Sequence, residues 1–271
     1  MKKALKIGSF ILAGIAVLCL ILVAILYCIS GGFMKQTYME PWSKNYAEKY
    51  SDPRIRLAAS GLLAASNHNM QPWKISLDES DPMVFYLYAD SSRTTKEVDP
   101  YARQMMISQG TFLEYVAVTG EEEGYHADIH LFPDGTYDES HLTESMDSKP
   151  VAKITLTKTQ PESSTLYDTL FLPDTNREAY QPEKLADSQV SALKSLSSRS
   201  NVSIKLYQDQ ENLSDIGNFA LQSATIEAGV TRVMDESNAI FRANEYQKNE
   251  YRYGYSVEGQ GTSGFMKNIL Q

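Results

Sequence analysis

The hydrophobic positions of the chain first form one long apolar run and then change to the shorter spacings of helices and strands. From Ile7 to Met34, 28 residues carry no charge, and the centre of this run is dense in Ile, Leu, Val and Ala. About 20 apolar residues suffice to cross the hydrocarbon core of a bilayer. The pattern predicts a transmembrane helix over residues 7–30, preceded by a short amino-terminal segment of residues 1–6.

Residues 31–52 mix Gly, Pro, aromatic and charged residues without a clear period, so we expect a tether that lifts the next domain off the membrane. The apolar spacing of residues 53–65 predicts a helix that ends at Ser66. Lys74–Leu77 and Met83–Tyr88 then have the composition of two strands, with their turn at Asp78–Pro82. This part of the chain therefore predicts a helix followed by a hairpin.

Asp99-Pro100 is typical of a helix start, since Asp suits the cap and Pro the first turn. The apolar pattern continues through Val116, and the turn residues near Gly120 predict the end of this helix. The segments YHADIHLF (125–132) and VAKITLT (151–157) alternate as strands do, and the acidic stretch Pro133–Pro150 between them is predicted to be a surface loop.

The second part of the chain predicts a helix over residues 182–198, a strand at NVSIKLY (201–207) and a longer helix over residues 213–235. Because the strand pairs look like hairpins or meanders, the pattern favours an α+β fold with a central, mostly antiparallel sheet flanked by helices. We expect one domain over residues 53–271, with a first half at about 53–160 and a second half at about 170–271.

Charge and cysteine usage exclude several classes of partner. The formal net charge is −9, and it falls to −12 once the three amino-terminal lysines are set aside; no cluster of Lys and Arg interrupts the remainder. This disfavours nucleic acid and anionic lipid surfaces. Both cysteines, Cys19 and Cys28, lie in the apolar run, so the 241 residues after Ser30 contain no thiol for a disulfide, a thiolate metal site or a cysteine nucleophile.

The amino-terminal Lys2, Lys3 and Lys6 predict the orientation of the apolar helix. By the positive-inside rule they keep the short amino end in the cytoplasm, which makes the chain a single-pass cell-membrane protein with an extracytoplasmic domain. A cleaved signal peptide is the main alternative, but no Ala-x-Ala pattern follows the run. Lipidation at Cys28 is disfavoured by the bulky Tyr27 before it.

The connection from Ser66 to Trp73 carries the candidate chemistry. Its Ser, Asn and Gln side chains offer hydrogen-bond donors and acceptors, His68 adds an imidazole, and Pro72 restricts its neighbours. This composition suits recognition of a flat heterocyclic ligand with polar edges. The alternative is an ordinary polar loop that ends in a tryptophan plug, since turns also gather Ser and Asn.

Three ordered segments resemble a known family. AASNHNMQPWKISL resembles the flavin-contacting segment of the nitroreductase superfamily, with Ala65 where a Pro is usual, and its His68 resembles the Acg-like branch. ADSSRTTKEVDPYARQMMISQGTFLEYV resembles the Asp-x-x-Arg, Asp-Pro-x-x-Arg and Ile-Ser-x-Gly series of that branch. PDTNREAYQPEKL resembles its Arg-Arg-Thr-Asn-Arg segment, although Pro173 and Asp174 stand where the pattern has Arg-Arg.

The resemblance implies an FMN-dependent oxidoreductase that moves electrons or hydride from a small-molecule donor, NAD(P)H among them, to a quinone- or nitroaromatic-like acceptor. It assigns the cofactor-binding residues, which are Ser66, Asn67, Asn69, Gln71 and Arg177. Gln71 and Trp73 are also expected to brace the loop. It identifies no catalytic side chain, because the flavin performs the redox step.

Four further arginines are candidate phosphate ligands with a structural alternative. Arg54 and Arg56 either replace the missing Arg-Arg pair or form surface ion pairs, and Arg93 and Arg103 either face a phosphate or tie a helix start to a loop. His126 and His130 share one face of a strand with Asp128, but with no third ligand nearby we expect no metal.

Relatives in the family continue beyond the equivalent of Gln271, so the carboxyl end is expected to be shortened. Two alternatives to the enzyme therefore stay open: a catalytically inactive protein that binds or sequesters flavin, and a membrane-tethered interaction module on the same scaffold. The sequence also leaves open a homodimer, since many relatives bind flavin between two subunits, whereas two fused halves would need only one chain.

Overall fold

A computed structural model of the chain describes residues 2–172, 175, 177, 179–196, 202–262 and 264–270. The chain divides into two compact units. The first comprises Met1–Asn176 and Ala239–Gln271, and the second comprises Arg177–Asn238.

The regular elements alternate along the chain. The helices are α1 (Lys2–Ile29), α2 (Pro53–Gly61), α3 (Arg103–Glu123), α4 (Leu142–Ser148), α5 (Thr165–Thr169), α6 (Asp187–Ser195), α7 (Gln210–Ala228), α8 (Thr231–Ala239), α9 (Glu245–Tyr251) and α10 (Gly264–Leu270). The strands are β1 (Trp73–Leu77), β2 (Val84–Ala89), β3 (Tyr125–Leu131), β4 (Ala152–Lys158), β5 (Phe241–Arg242) and β6 (Tyr255–Ser256).

The first unit contains a four-stranded sheet with the strand order β1-β2-β4-β3. All three pairings are antiparallel, with Ile75 opposite Leu87, Phe85 opposite Ile154 and Ile129 also opposite Ile154. The predicted α+β fold with an antiparallel sheet is confirmed. Strands β5 and β6 form a separate parallel pair.

One face of the sheet packs on α2 and α3, and this layer contains the core. Every second residue of the strands points into it, because side chains alternate across a strand. The largest buried side chains come from helices and strands alike: Leu57, Phe85, Leu87, Met105, Phe112, Val116, Met146 and Ile154. The buried faces of β2, β4 and α3 thus pack together in one core.

The start of α3 differs from the prediction in its position. Helical geometry begins at Arg103, after Ala102 adopts a left-handed conformation with φ 53°. The buried carboxylate of Asp99 still caps the helix, since it accepts hydrogen bonds from the backbone N–H groups of Arg103 at 2.8 Å and Met105 at 3.0 Å. The Asp was correctly identified as a cap, but it reaches the helix from one turn upstream.

Two other predictions about local structure are wrong. The predicted surface loop at 133–150 contains α4, which buries Ser145 and Met146. Its acidic composition masked the spacing of Leu142 and Met146, which places both on one helix face. The strand predicted at 201–207 does not form over residues 202–207, where the alternating side chains have no neighbouring strand with which to pair.

The second unit is helical in its described part. It contains α6, α7 and most of α8, so the single helix predicted over 213–235 is interrupted at Gly229 and Val230. Asp209 caps α7 by accepting a hydrogen bond from the N–H of Asn212 at 2.9 Å. At the turn that follows α7, the N–H of Gly229 donates a hydrogen bond to the carbonyl of Ile226.

Helix α1 is long enough and apolar enough to cross a membrane. Its apolar part, Phe10–Ile29, has 20 residues, a mean hydropathy of 3.0 and no buried position. A signal sequence has the same properties, so this helix is either a membrane span or a signal sequence.

The close contact between α2 and α3 leads to a stability prediction. A Cβ atom at Gly61 would lie 2.3 Å from the ring of the buried Phe112, whereas a Cβ at Gly110 would meet nothing within 4 Å. We expect Gly61→Ala to lower the free energy of unfolding by about 1 to 3 kcal/mol because it overpacks the interface. Gly110→Ala, the matched control on α3, should raise it by about 0.5 to 1 kcal/mol, since Ala is the better helix former.

Denaturant unfolding of the detergent-solubilised chain, followed by circular dichroism, measures both changes. Equal effects of the two substitutions would contradict the close packing of α2 on α3.

Candidate functional site

The loop from Ser66 to Trp73 joins α2 to β1 and has an unusual backbone. His68, Asn69 and Gln71 have φ values of 47°, 53° and 49°. These are three of the six non-glycine residues with positive φ in the part of the chain that the structure describes. Left-handed conformations of such residues cost free energy and concentrate at functional sites, so this loop is the leading site candidate.

Helix α3 supports the loop from one side. Ser108 accepts a hydrogen bond from the backbone N–H of Asn67 at 3.0 Å with its hydroxyl, and its carbonyl accepts one from Trp73 Nε1 at 3.1 Å. The buried Gln109 donates from Nε2 to the carbonyl of Pro72 at 2.7 Å. Ser108 and Gln109 lie in the Ile-Ser-x-Gly match, so this second segment braces the first.

Residues 252–255, which we call the closing segment, cover the other side of the loop. Asn69 exchanges two hydrogen bonds with Gly254, each of 2.9 Å: its Nδ2 donates to the Gly254 carbonyl, and its carbonyl accepts from the Gly254 N–H. Gln71 Nε2 donates to the carbonyl of Arg252 at 2.6 Å, and the ring of His68 lies 5.9 Å from that of Tyr255. This partner segment lies more than 180 residues further along the chain.

Gly254 is required at this contact. Its φ of 90° lies in a region that other residues rarely adopt, and a Cβ atom there would lie 2.2 Å from the carbonyl oxygen of Ile240. Gly254 lies 185 residues after Asn69, so no local pattern in the sequence indicates their contact. The positive φ of Arg252, 59°, adds a fourth left-handed residue to the site.

The structure brings four of the five assigned cofactor residues together. Ser66 Oγ accepts from the N–H of Gln71 at 3.0 Å, and Asn67 Nδ2 donates to Thr95 Oγ1 at 3.3 Å. Asn69 Oδ1 accepts from Gln71 Nε2 at 3.2 Å. Each of these side chains therefore has a protein partner. Arg177 is exposed at the start of the second unit, and Pro173 and Asp174 lie outside the described residues.

Arg93, for which the sequence left open a phosphate contact or a structural tie, packs on the segment that contacts this loop. Its guanidinium lies 3.4 Å from the ring centroid of Tyr253, the neighbour of Gly254, and its Nε is 3.9 Å from Asp90. Its Nη1 is buried and has no hydrogen-bond partner among the described residues. An unsatisfied buried donor is costly, which makes this atom a candidate for a hydrogen bond to a ligand. The Asp-x-x-Arg match was the signal for it.

Asp90 keeps its negative charge beside Arg93. Burial alone would raise the pKa of this carboxyl, but the hydrogen bonds from Ser92 and the nearby Lys74 ammonium outweigh burial and lower the pKa below its usual value. The Arg93 guanidinium therefore has a carboxylate behind it and one donor nitrogen still unused.

Four other arginines contact groups of the protein. Arg54 is buried and donates to backbone carbonyls of the β1–β2 turn, and Arg56 pairs with Glu123. Arg103 is exposed and approaches Glu139 at 3.9 Å. Arg242 donates to the carbonyls of Tyr253 and Ala239, which holds the closing segment in shape. Arg54 and Arg56 therefore both bind groups of the protein itself.

His126 and His130 point to the exposed side of β3, and no group of three or more metal-ligating side chains occurs among the described residues.

The chain is similar to a nitroreductase in sequence. No family model matches it. It is 25% identical over 188 residues, 69% of its length, to the protein "Probable NAD(P)H nitroreductase PigM" of Serratia sp. (strain ATCC 39006). These residues cover 51% of that protein, so the chain spans about half the length of this curated relative.

Two solved structures also show a partial likeness. One is a nitroreductase family protein of Streptococcus pneumoniae TIGR4, with a TM-score of 0.28, 17% identity and coverage of 42% of this chain and 82% of that one. The other, assigned as an NAD(P)H:FMN oxidoreductase of Staphylococcus epidermidis ATCC 12228, has a TM-score of 0.30, 14% identity and coverage of 43% and 80%. Scores this low carry no argument about this chain.

Proposed function

We propose that this chain belongs to the nitroreductase superfamily, in its Acg-like branch, and is a membrane-anchored FMN-dependent oxidoreductase. It transfers electrons or hydride from a donor such as NAD(P)H to a quinone- or nitroaromatic-like acceptor. The observation that carries the proposal is the unused, buried Nη1 of Arg93 beside a loop of four amide and hydroxyl side chains. The similarity to the Serratia nitroreductase supports it.

The residue types fit the cofactor. A flavin ring presents carbonyl oxygens and ring nitrogens, and Asn, Gln and Ser side chains can act towards them as hydrogen-bond donors or as acceptors. A guanidinium with a free donor complements the electron-rich edge of the ring or a phosphate. When bound, FMN supplies the redox chemistry, and the protein holds and orients the ring.

Binding requires an exchange of partners at the loop. Asn69 and Gln71 now bind Gly254 and Arg252, so an incoming ring has to take over these hydrogen bonds, whereas Arg93 Nη1 gives up nothing. Exchange of one hydrogen bond for another changes the free energy little, while a newly satisfied buried donor contributes fully. Arg93 is therefore the residue whose loss should weaken binding most clearly.

The proposed location is the cell membrane, with α1 as a single span and the remaining chain outside the cytoplasm. The apolar part of α1, Phe10–Ile29, and the lysines at the amino end of the helix support this orientation. Reduced nicotinamides are scarce outside the cytoplasm, so a membrane quinol is the donor that this topology favours.

FMN titration of the purified chain in detergent tests the proposal. We expect quenching of flavin fluorescence on binding, followed by turnover when a quinol or NAD(P)H is supplied with a quinone or nitroaromatic acceptor. A protein that takes up no FMN would overturn the proposal, and the membrane-tethered interaction module would be the remaining alternative.

The second candidate is a flavin-binding or flavin-sequestering protein without turnover. The contacts of Asn69 and Gln71 with the closing segment favour it, since a ring held under that segment would be shielded from a second substrate. FMN binding with donor oxidation at background levels would select this alternative.

Replacement of Arg93 by glutamine should reduce FMN affinity by about 10- to 150-fold, because one hydrogen bond from a charged group contributes about 1.5 to 3 kcal/mol. Arg103→Gln is the matched control, since Arg103 is exposed and lies on α3, and its FMN affinity should equal that of the wild type. Fluorescence titration of both variants measures the change. Equal affinities for Arg93→Gln and the wild type would exclude Arg93 as a flavin ligand.

A further inference from the structure

The junction between α1 and the rest of the first unit is rigid. Ser30, directly after α1, is buried, and its carbonyl accepts a hydrogen bond from the N–H of Glu245 at 3.0 Å. Tyr246 donates its hydroxyl to the carbonyl of Cys28 at 3.4 Å. Gly31 has a φ of 77°, and a Cβ atom there would lie 3.0 to 3.1 Å from Glu245 and Tyr246. Helix α9 thus packs directly on the end of α1.

The segment expected to be a tether continues this packing. Asn249 of α9 accepts from the N–H of Thr37 at 2.8 Å and donates to the carbonyl of Lys35 at 2.9 Å. Tyr38 donates its hydroxyl to Glu245 at 3.0 Å. Residues 30–38 are therefore attached to the folded unit through side chains and backbone, and they leave no free linker between it and α1.

An exposed apolar group surrounds this junction. Phe33 is 78% exposed, and its ring meets that of Tyr27 on α1 edge to face at 4.6 Å. Helix α10 packs against α1 and exposes Met266 and Leu270, which are 52% and 55% accessible. Met34 is exposed as well. These apolar side chains lie next to the apolar surface of α1, and we call Phe33, Met34, Met266 and Leu270 the membrane-facing patch.

The length of α1 determines the height of this patch. Twenty helical residues rise about 30 Å, which equals the thickness of the hydrocarbon core. With Phe10–Ile29 in that core, residues 30–34 fall in the headgroup region, where aromatic side chains are enriched and apolar side chains can insert. A lipid surface is therefore the partner that is continuous with the patch.

We propose that the membrane-facing patch inserts into the interface of the bilayer that α1 crosses, so that the first unit lies flat against the membrane at a fixed height. This inference rests on the membrane anchoring proposed above. The closing segment begins at Arg252, directly after α9, so the seven residues of α9 connect the α1 junction to the candidate site. The site is thereby held close to the lipid surface, within reach of a membrane-dissolved substrate.

Depth-dependent fluorescence quenching tests the inference on the full chain in phosphatidylcholine vesicles. In a Cys19→Ala, Cys28→Ala background, Phe33→Cys, Met266→Cys and Leu131→Cys each carry one environment-sensitive dye. Leu131, an exposed apolar residue of the edge strand β3, is the matched control. A fourth protein, Cys28→Ala, carries the dye on Cys19 at the centre of α1; it is read with lipids that carry the nitroxide deep in the acyl chain, and it reports the anchor itself.

Nitroxide lipids labelled near the headgroup should quench the dyes at positions 33 and 266 at least about twofold more than at 131, since interfacial side chains lie about 5 to 10 Å into the boundary. Equal, weak quenching at 33, 266 and 131 with strong quenching at Cys19 would overturn the inference and leave the anchor intact. An unquenched Cys19 would overturn the anchoring and the inference together. FMN titration of the same samples judges the oxidoreductase proposal separately.

Discussion

Replacement of Arg54 by alanine should lower the free energy of unfolding by about 3 to 5 kcal/mol, because it removes a buried guanidinium that serves one carboxylate and three backbone carbonyls. Arg54 is 8% exposed, and its Nη1 donates to the carbonyls of Asp78, Asp81 and Val84 at 2.9 to 3.1 Å. Its Nη2 binds the Asp52 carboxylate at 2.8 Å. The alanine variant would leave the carboxylate and three carbonyls without this donor.

Arg56→Ala is the matched control for this prediction. It lies two residues away on α2 and also pairs with a carboxylate, that of Glu123, but its side chain is more exposed. We expect a loss of about 1 kcal/mol, because solvent reaches this pair, with Arg56 31% and Glu123 19% exposed, and screens it. The loss of unfolding free energy for Arg54→Lys should lie between those of Arg54→Ala and Arg56→Ala, because an ammonium keeps the charge but lacks the planar set of donors of a guanidinium. Chemical denaturation measures all three, and similar losses for Arg54→Ala and Arg56→Ala would refute the structural role of Arg54.

The second large effect is expected from Lys248→Ala, again about 3 to 5 kcal/mol of unfolding free energy. Lys248 is 6% exposed and lies between the carboxylates of Glu245, at 2.7 Å, and Glu258. Lys267 also contacts both carboxylates, at 2.9 and 3.2 Å. Two ammonium groups thus balance two carboxylates, and removal of Lys248 would leave buried negative charge without compensation.

The pH dependence of this network has a definite sign. Burial alone would raise the pKa of Glu258, but its hydrogen bond with Lys248 and the charges of Lys248 and Lys267 outweigh it and lower the pKa to about 2. An unfolded Glu titrates near about 4.3. The stabilisation is therefore complete above pH 4.3 and is lost as the pH falls from there towards 2.

Unfolding measured at neutral pH and near pH 3 checks this second prediction. The difference between the wild type and Lys248→Ala should shrink in acid, because protonation removes the uncompensated negative charge that the variant buries at neutral pH. Lys96→Ala, an exposed lysine outside the network, is the control and should behave as the wild type at both pH values. A difference that is constant with pH would mean that Lys248 stabilises by packing alone.

Local patterns in the sequence were sufficient for most of the first unit. The alternation in residues 74–88 and 125–157 predicted the strands because each has one buried face, and the apolar spacing of α3 predicted a helix that packs on them. The candidate loop was identified from its composition and its resemblance to a flavin-contacting segment. Its binding role is still a prediction.

The roles of the arginines could not be predicted in the same way. Arg54 and Arg93 are both surrounded by Asp and Ser in the sequence, yet one satisfies three carbonyls and the other keeps a free donor. The difference comes from the β1–β2 turn, which lies against Arg54, and from Tyr253, which covers Arg93. Neither partner is near in sequence, so no local pattern reports it.

The sequence by itself determined the apolar helix, the antiparallel sheet with its helices, and the position of the polar loop, because these depend on the period of the side chains along a short stretch. Only the tertiary structure decided that the 252–255 segment closes the loop and that residues 30–38 are packed rather than free. These contacts join residues about 180 to 220 positions apart, and their formation depends on how the whole unit packs.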